Sequence, residues 1–364
     1  MAEMTEFSES PPDHDEIIAV ARGIATAAAP AEGLTEAQSA LLQALTKALT
    51  DVEVDYDSLE PLGPDALAAA LADHGPQYRR RIVHHMVLAE LILRPLPAEV
   101  ADRVDAYSRA LGIEDDFVRV ARRYADGAFG LAWCDLRRSG FTDRWDDDHM
   151  NPLHTKARFE DPFDAAVADP ELERQWLTFE NRDPGSLGRA VWDMYQMRQF
   201  AVPGSPNGAA AYLAQHDFVH VLADYGTNLE GELEVFAFLG RADPDPKGFA
   251  WLATVIGLFE TGYVHQQGFL QADVRDRHLQ SPGMRTRLAD AIRRGKVVCE
   301  GFGQDLLSVD YHEWVDLSID EARARVHVPP KSEEAVHCGS AGVFDPAGMS
   351  EAQRQAAADA GRVL

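Results

Sequence analysis

His216 and His220 stand four residues apart in the stretch Tyr212–Glu234, YLAQHDFVHVLADYGTNLEGELE. On a helix that spacing places both imidazoles on one face, one turn apart, where both can bind a single metal ion. Asp217 adjoins His216 and can reach the same ion from the flank, and Glu232 follows His220 after eleven intervening residues. Gly226-Thr227-Asn228 reads as a helix stop and turn, so that Glu232 faces back from a second helix towards the His pair. Two histidines on an apolar run could be core residues satisfied by hydrogen bonds. Asp217 and Glu232 tip the balance towards a metal, because buried carboxylates without a cation are costly. The ligand set suits one divalent metal, zinc or iron, with manganese and cobalt also compatible by ligand type. Four protein ligands close a tetrahedral zinc sphere and make it structural, whereas a six-coordinate iron keeps two positions open.

The elements that must position these residues read as helices throughout, so the expected fold class is all-α, with two helical domains. Residues 1–14 are an acidic tail expected to be disordered. In 15–138, Ile17, Ile18 and Ile24, then Leu34, Leu41, Leu42, Leu45 and Leu49, mark two amphipathic helices, with Thr35 as an N-cap. A similar pair follows at Ile82–Ile92 and Val100–Leu111, a weak internal duplication. Adjacent His84 and His85 point to different faces and read as structural. Residues 139–162 mix Gly, Pro, Asn and three consecutive Asp and form the expected linker, its acidic run a solvated loop. In 163–330, Ser186 caps a helix carrying Leu187, Val191, Met194, Tyr195 and Met197. A very apolar helix, Phe249–Gly268, carries Glu260 and His265; a carboxylate in so apolar a helix calls for a partner or a cation nearby, so Glu260 reads either as an acid/base candidate or a support to a metal ligand, or as the partner of a surface arginine. A basic helix spans Pro282–Cys299. Residues 331–364 read as a loosely attached tail.

The 364 residues fit two domains. Sixty Asp and Glu against 34 Lys and Arg give a formal charge of −26, which repels nucleic acid and anionic headgroups. Cys134, Cys299 and Cys338 are too few and too scattered for a disulfide framework and read as reduced thiols of a cytoplasmic protein. The first residues are the opposite of a presequence, and the longest apolar run is too short for a membrane span, so membrane contact is expected only peripherally, at the inner face. There is no Gly-rich phosphate loop, Rossmann fingerprint or Gly-x-Ser-x-Gly elbow.

The pattern His216, Asp217, His220 and, after eleven residues, Glu232 resembles the signature of the Coq-four family of coenzyme Q (ubiquinone) biosynthesis proteins. Asp183–Phe200, DPGSLGRAVWDMYQMRQF, is similar to the family's Pro-x-(Ser/Thr)-Leu-Gly approach to a helix. LEGELEVFAFL matches its Glu-Gly-Glu run, and Arg293–Pro330 its closing helix and Pro-Pro. The resemblance covers about 163–330 and implies a helical bundle around the metal. It also implies oxidative decarboxylation or hydroxylation of an aromatic ring bearing a prenyl tail, or a related tailoring reaction, with Glu230 or Glu234 shuttling protons. An apolar or prenylated aromatic small molecule and biosynthetic proteins are the implied partners. Two departures are visible: Ala209–Gln215 carries no basic residue, and a long N-terminal domain precedes the matching region. The latter weakly resembles the TerB-like helical domain and is taken as an interaction or dimerisation module, so a homo-oligomer is expected. Two other classes fit the same ligands: a lipid-binding scaffold of a quinone-biosynthesis complex with a structural zinc, and a metal-dependent phosphohydrolase. The latter lacks a basic phosphate clamp near the motif.

Overall fold

Side-chain caps open the first two helices of the chain. In this computed structural model the described residues are 12–93, 96–113, 168–206, 208–209, 214–244, 252, 255–256 and 278–362. Helix α1 (His14–Ala28) opens on a capping box. The Glu16 N–H donates to the Asp13 carboxylate, and the Asp13 N–H donates to that of Glu16, both at 2.9 Å. Helix α2 (Glu36–Thr50) opens on a second box built by Thr35 and Gln38, with Thr35 at the expected N-cap. Three further helices follow: α3 (Pro64–Ala70), α4 (Pro76–Leu91) and α5 (Ala98–Ala110). Helix α1 packs on α3, α4 and α5. Gln38 is fully buried, and its amide donates to the carbonyls of Ala28 and Ala89 at 2.9 Å each, tying the ends of α1 and α4 to α2. Sequence periodicity raised no expectation of α3; its seven residues bury only Leu67.

The second half comprises α6 (Pro170–Leu177), α7 (Leu187–Arg198), α8 (Gln215–Ala223), α9 (Leu229–Ala242), α10 (Met284–Gly301), α11 (Ile319–Arg325), α12 (Glu333–His337) and α13 (Glu351–Asp359). Ser186 caps α7 by accepting the Arg189 N–H at 3.3 Å. Among the described residues helices α9 and α10 are the most extensively packed pair, and they cross tightly at Gly295, where a Cβ would stand 2.4 Å from the Phe238 carbonyl oxygen. Helix α8 lies against α7, α9 and α11. The fold is all-α. Among the described residues the β-structure is one isolated bridge, Ser186 with Ser318.

The two halves meet where α2 packs on α10. Arg293 of α10 donates to the Lys47 carbonyl at 3.0 Å and to Asp51 at 2.7 Å. One apolar cluster runs through both halves, containing Leu41 and Leu45 of α2 with Leu288 and Ile292 of α10. The expected linker, 139–162, lies outside the described residues, as do Glu260 and His265. No described helix is long and apolar enough to cross a membrane.

The expectation of a loose tail over 331–364 needs correction. Arg198 of α7 donates to the Val343 carbonyl at 2.6 Å, the Val343 N–H donates to Asp224 at 3.0 Å, and Thr227 bonds the Gln353 side chain at 3.0 Å. Gly and Ala residues suggested a loose attachment because they carry no apolar pattern; here they allow backbone to lie against backbone.

Candidate metal centre

Helix α8 places His216 and His220 one turn apart, with ring centroids 5.3 Å from each other. The helix ends at Asp224, whose φ of 60° puts it in the left-handed region, and the chain turns through Gly226 into α9. Asn228 caps α9 by accepting the Gly231 N–H at 2.9 Å, which sets Glu232 in the first turn. Two glycines are required here: a Cβ on Gly231 would stand 2.1 Å from the Gly226 carbonyl oxygen, and one on Gly226 would stand 2.5 Å from Gly348 Cα.

The four expected ligands converge. His220 Nε2 is 3.2 Å from Glu232 Oε2, and His216 Nε2 is 4.0 Å from the same oxygen and 3.7 Å from Asp217 Oδ1. Candidate ligand atoms of His216, Asp217 and His220 all lie within 4.8 Å of one another. His216, Asp217 and His220 are fully buried, and Glu232 is 3% exposed. Ligands each about 2 Å from one ion stand about 3 to 3.5 Å apart, so these separations fit a shared cation after small rotamer adjustments.

His220 Nδ1 is 3.2 Å from the Tyr225 carbonyl oxygen, which can only accept, so Nδ1 carries the hydrogen. In the neutral ring, Nε2 is then a lone pair facing a carboxylate oxygen. Both atoms are buried and lack a hydrogen-bond partner among the described residues. Two acceptors held 3.2 Å apart away from water repel unless a cation lies between them or the ring is protonated. Two carboxylates and two neutral imidazoles would balance a divalent ion.

Tyr195 of α7 donates its hydroxyl to Asp217 Oδ2, orienting that carboxylate. Sequence reasoning placed Tyr195 in the core; only its position on the helix preceding the motif could have hinted at this contact. His216 also stacks on Phe236 of α9, with centroids 5.8 Å apart.

The expected proton shuttles are elsewhere. Glu230 and Glu234 flank Glu232 two residues to either side and so point to the opposite face of α9. Glu234 pairs with Arg287 of α10 at 2.6 Å, both buried, and Glu230 accepts from His278 Nδ1 at 2.8 Å. Burial alone would raise the Glu230 carboxyl, but the hydrogen bond and charge of His278, with Arg287 beyond, outweigh it and hold the group below its ordinary range. Tyr225 lies near Arg294 and Glu234; burial pushes its phenol far above the usual range despite Arg294. This face is an ion-paired seam between α9 and α10.

Fold and site together define an all-α protein with a buried His/Asp/His/Glu cluster of the residue types that ligate divalent metals. Comparison of the chain with models of protein families, with curated proteins and with solved structures found no match.

Proposed function

We propose that His216, Asp217, His220 and Glu232 hold one divalent metal. In this reading the chain is a metal-dependent protein of the ubiquinone-biosynthesis type, which oxidatively decarboxylates or hydroxylates an aromatic ring bearing an apolar, prenyl tail. The metal rests on the buried facing of His220 Nε2 and Glu232 Oε2 at 3.2 Å, with Nδ1 of the same ring committed to Tyr225. The reaction rests on the resemblance of the His216–Glu232 pattern and its flanks. A bound iron would supply single-electron exchange with dioxygen, the oxidant this reading requires. The chain's own residues neutralise the ion's charge, fix the His220 tautomer through Tyr225 and aim Asp217 through Tyr195.

A second reading is a lipid-binding scaffold with a structural zinc. Complete burial of His216, Asp217 and His220 supports it, because a closed four-ligand sphere needs no access for a reactant.

Elemental analysis of protein purified anaerobically without added metal separates the two. We expect about one metal per wild-type chain and less than a tenth of that in His220→Ala and Glu232→Ala. Full occupancy in both variants would sink the site. Iron would lead to assays with prenylated hydroxybenzoates and dioxygen; zinc would favour the scaffold and a search for bound lipid and partner proteins.

A further inference from the structure

A cavity of about 510 Å³ opens at the junction of the two halves, between α1, α2 and α4 on one side and the C-terminal ends of α9 and α10 on the other. It is distinct from the metal cluster. Glu232 lies in the first turn of α9 and Arg241 in its last, so the two lie about 13 Å apart along the axis, and none of the four ligands lines the cavity. Its volume falls within the range of small-molecule sites, about 300 to 1,000 Å³.

The lining combines aliphatic side chains with hydroxyl, imidazole and charged groups. Ile17, Ile24, Leu45 and Leu49 of α1 and α2 and Ile82 of α4 form an apolar wall. Arg81, Arg241 and Lys296 supply cations, and Asp243 and Glu300 also line the space. Lys296 lies 3.8 Å from Glu300, both largely exposed, a weak pair. Neither Arg81 nor Arg241 forms an ion pair with a described residue, although both act on the same imidazole. Burial first, then the charges of His84, Arg241 and Arg81, push His85 down to about 4, so His85 is neutral at pH 7. The cavity thus carries three cations against two carboxylates. Such a local excess in a chain of charge −26 suits a monoanion, and a dianion would be left unbalanced. Arginine forks recognise carboxylates through paired hydrogen bonds, and the Thr46 and Tyr56 hydroxyls that also line the cavity are already bonded to each other at 2.7 Å.

We propose that this cavity binds a single-tailed amphiphilic carboxylate of the fatty-acid type, its tail along Ile17, Ile24, Leu45 and Ile82 and its headgroup between Arg81 and Arg241. This site stands independently of the metal centre.

Isothermal titration of the 364-residue chain with dodecanoate, 1-dodecanol, dodecyl phosphate and dodecyltrimethylammonium, each below its micelle concentration, tests it. Expected is saturable 1:1 binding of dodecanoate, weaker by at least about tenfold for the alcohol and the phosphate, and none for the ammonium. Arg241→Ala and Arg81→Ala should each weaken dodecanoate about tenfold or more and leave the alcohol unchanged. Leu49 is only partly buried, so Leu49→Trp can fill the cavity with little risk to the fold; it should abolish binding of both. Equal affinity for alcohol and carboxylate, tighter binding of the phosphate, indifference to both arginine variants, or no saturable binding would overturn the proposal. Metal content, measured in parallel and expected to be unchanged in all three variants, keeps failure here separate from failure of the metal reading.

Discussion

Glu232 and Glu234 differ by two positions and have opposite fates, because one turn of α9 is 3.6 residues. Glu232 meets His220; Glu234 meets Arg287 at 2.6 Å inside the protein. Removing one partner of a buried pair leaves the other charge uncompensated, at a cost of about 3 to 5 kcal/mol. Glu234→Ala should therefore lower the free energy of unfolding by about that amount in urea while metal stoichiometry stays at one per chain. Wild-type stability with lost turnover would instead return Glu234 to the chemistry. His85 gives the pH dependence. Burial and the neighbouring charges keep the folded ring neutral down to about pH 4, whereas in the unfolded chain it protonates near 6.5. Between those values the unfolded state binds more protons, so stability falls as pH drops through the window and is flat in this term above it. The ring is partly exposed, and the term is worth about 2 kcal/mol at pH 4. Urea unfolding at pH 7 and pH 4.5 should show a smaller acid loss in His85→Gln than in the wild type; equal losses would contradict the assignment.

At the scale of elements, the turn Asp224–Asn228 sets the spacing of the proposed metal ligands, and the C-terminal segment holds it. The Thr227 and Asn228 N–H groups both donate to the Gly348 carbonyl, at 2.6 and 3.0 Å, and the Gly226 N–H donates to Ala341 at 3.2 Å. Gly226→Ala forces its Cβ against Gly348 Cα, where neither backbone can yield cheaply. Expected is a loss of about 1 to 3 kcal/mol in stability together with faster metal loss to a chelator, since Glu232 moves relative to His220. Unchanged metal retention would mean that the turn does not govern the site. These elements also show how much the sequence disclosed. The His-x-x-x-His spacing and the Thr35 and Ser186 caps are local patterns, and the structure has α8, α2 and α7 where they predict. The separation of Glu230 and Glu234 from Glu232 was available from helical period alone, yet the clustering of acidic residues obscured it. The clamp by 340–353 was not readable, because backbone-to-backbone packing through Gly226 and Gly348 depends on which distant segments meet. The same holds for Tyr195 and Asp217, which lie on different helices.

Over the whole molecule, the question is whether the two halves act separately. A helical module joined by a linker would melt alone and leave the proposed metal centre unaffected. The packing of α2 on α10, the Arg293 contacts with Lys47 and Asp51, and a single apolar cluster containing both Leu41 and Ile292 argue for one cooperative unit. Helix α10 also carries Arg287, the partner of Glu234 on α9, so strain at α2 has a packed route to the helix that bears Glu232. Leu41 is fully buried on α2, far in sequence from every proposed metal ligand. Leu41→Ala should cost about 2 to 5 kcal/mol. In a cooperative unit it lowers the midpoint of the whole transition, and the temperature of metal release falls with it, in one calorimetric peak. Two peaks, with metal release staying at the wild-type temperature, would show that the halves unfold independently and that the cavity between them joins two separable bodies.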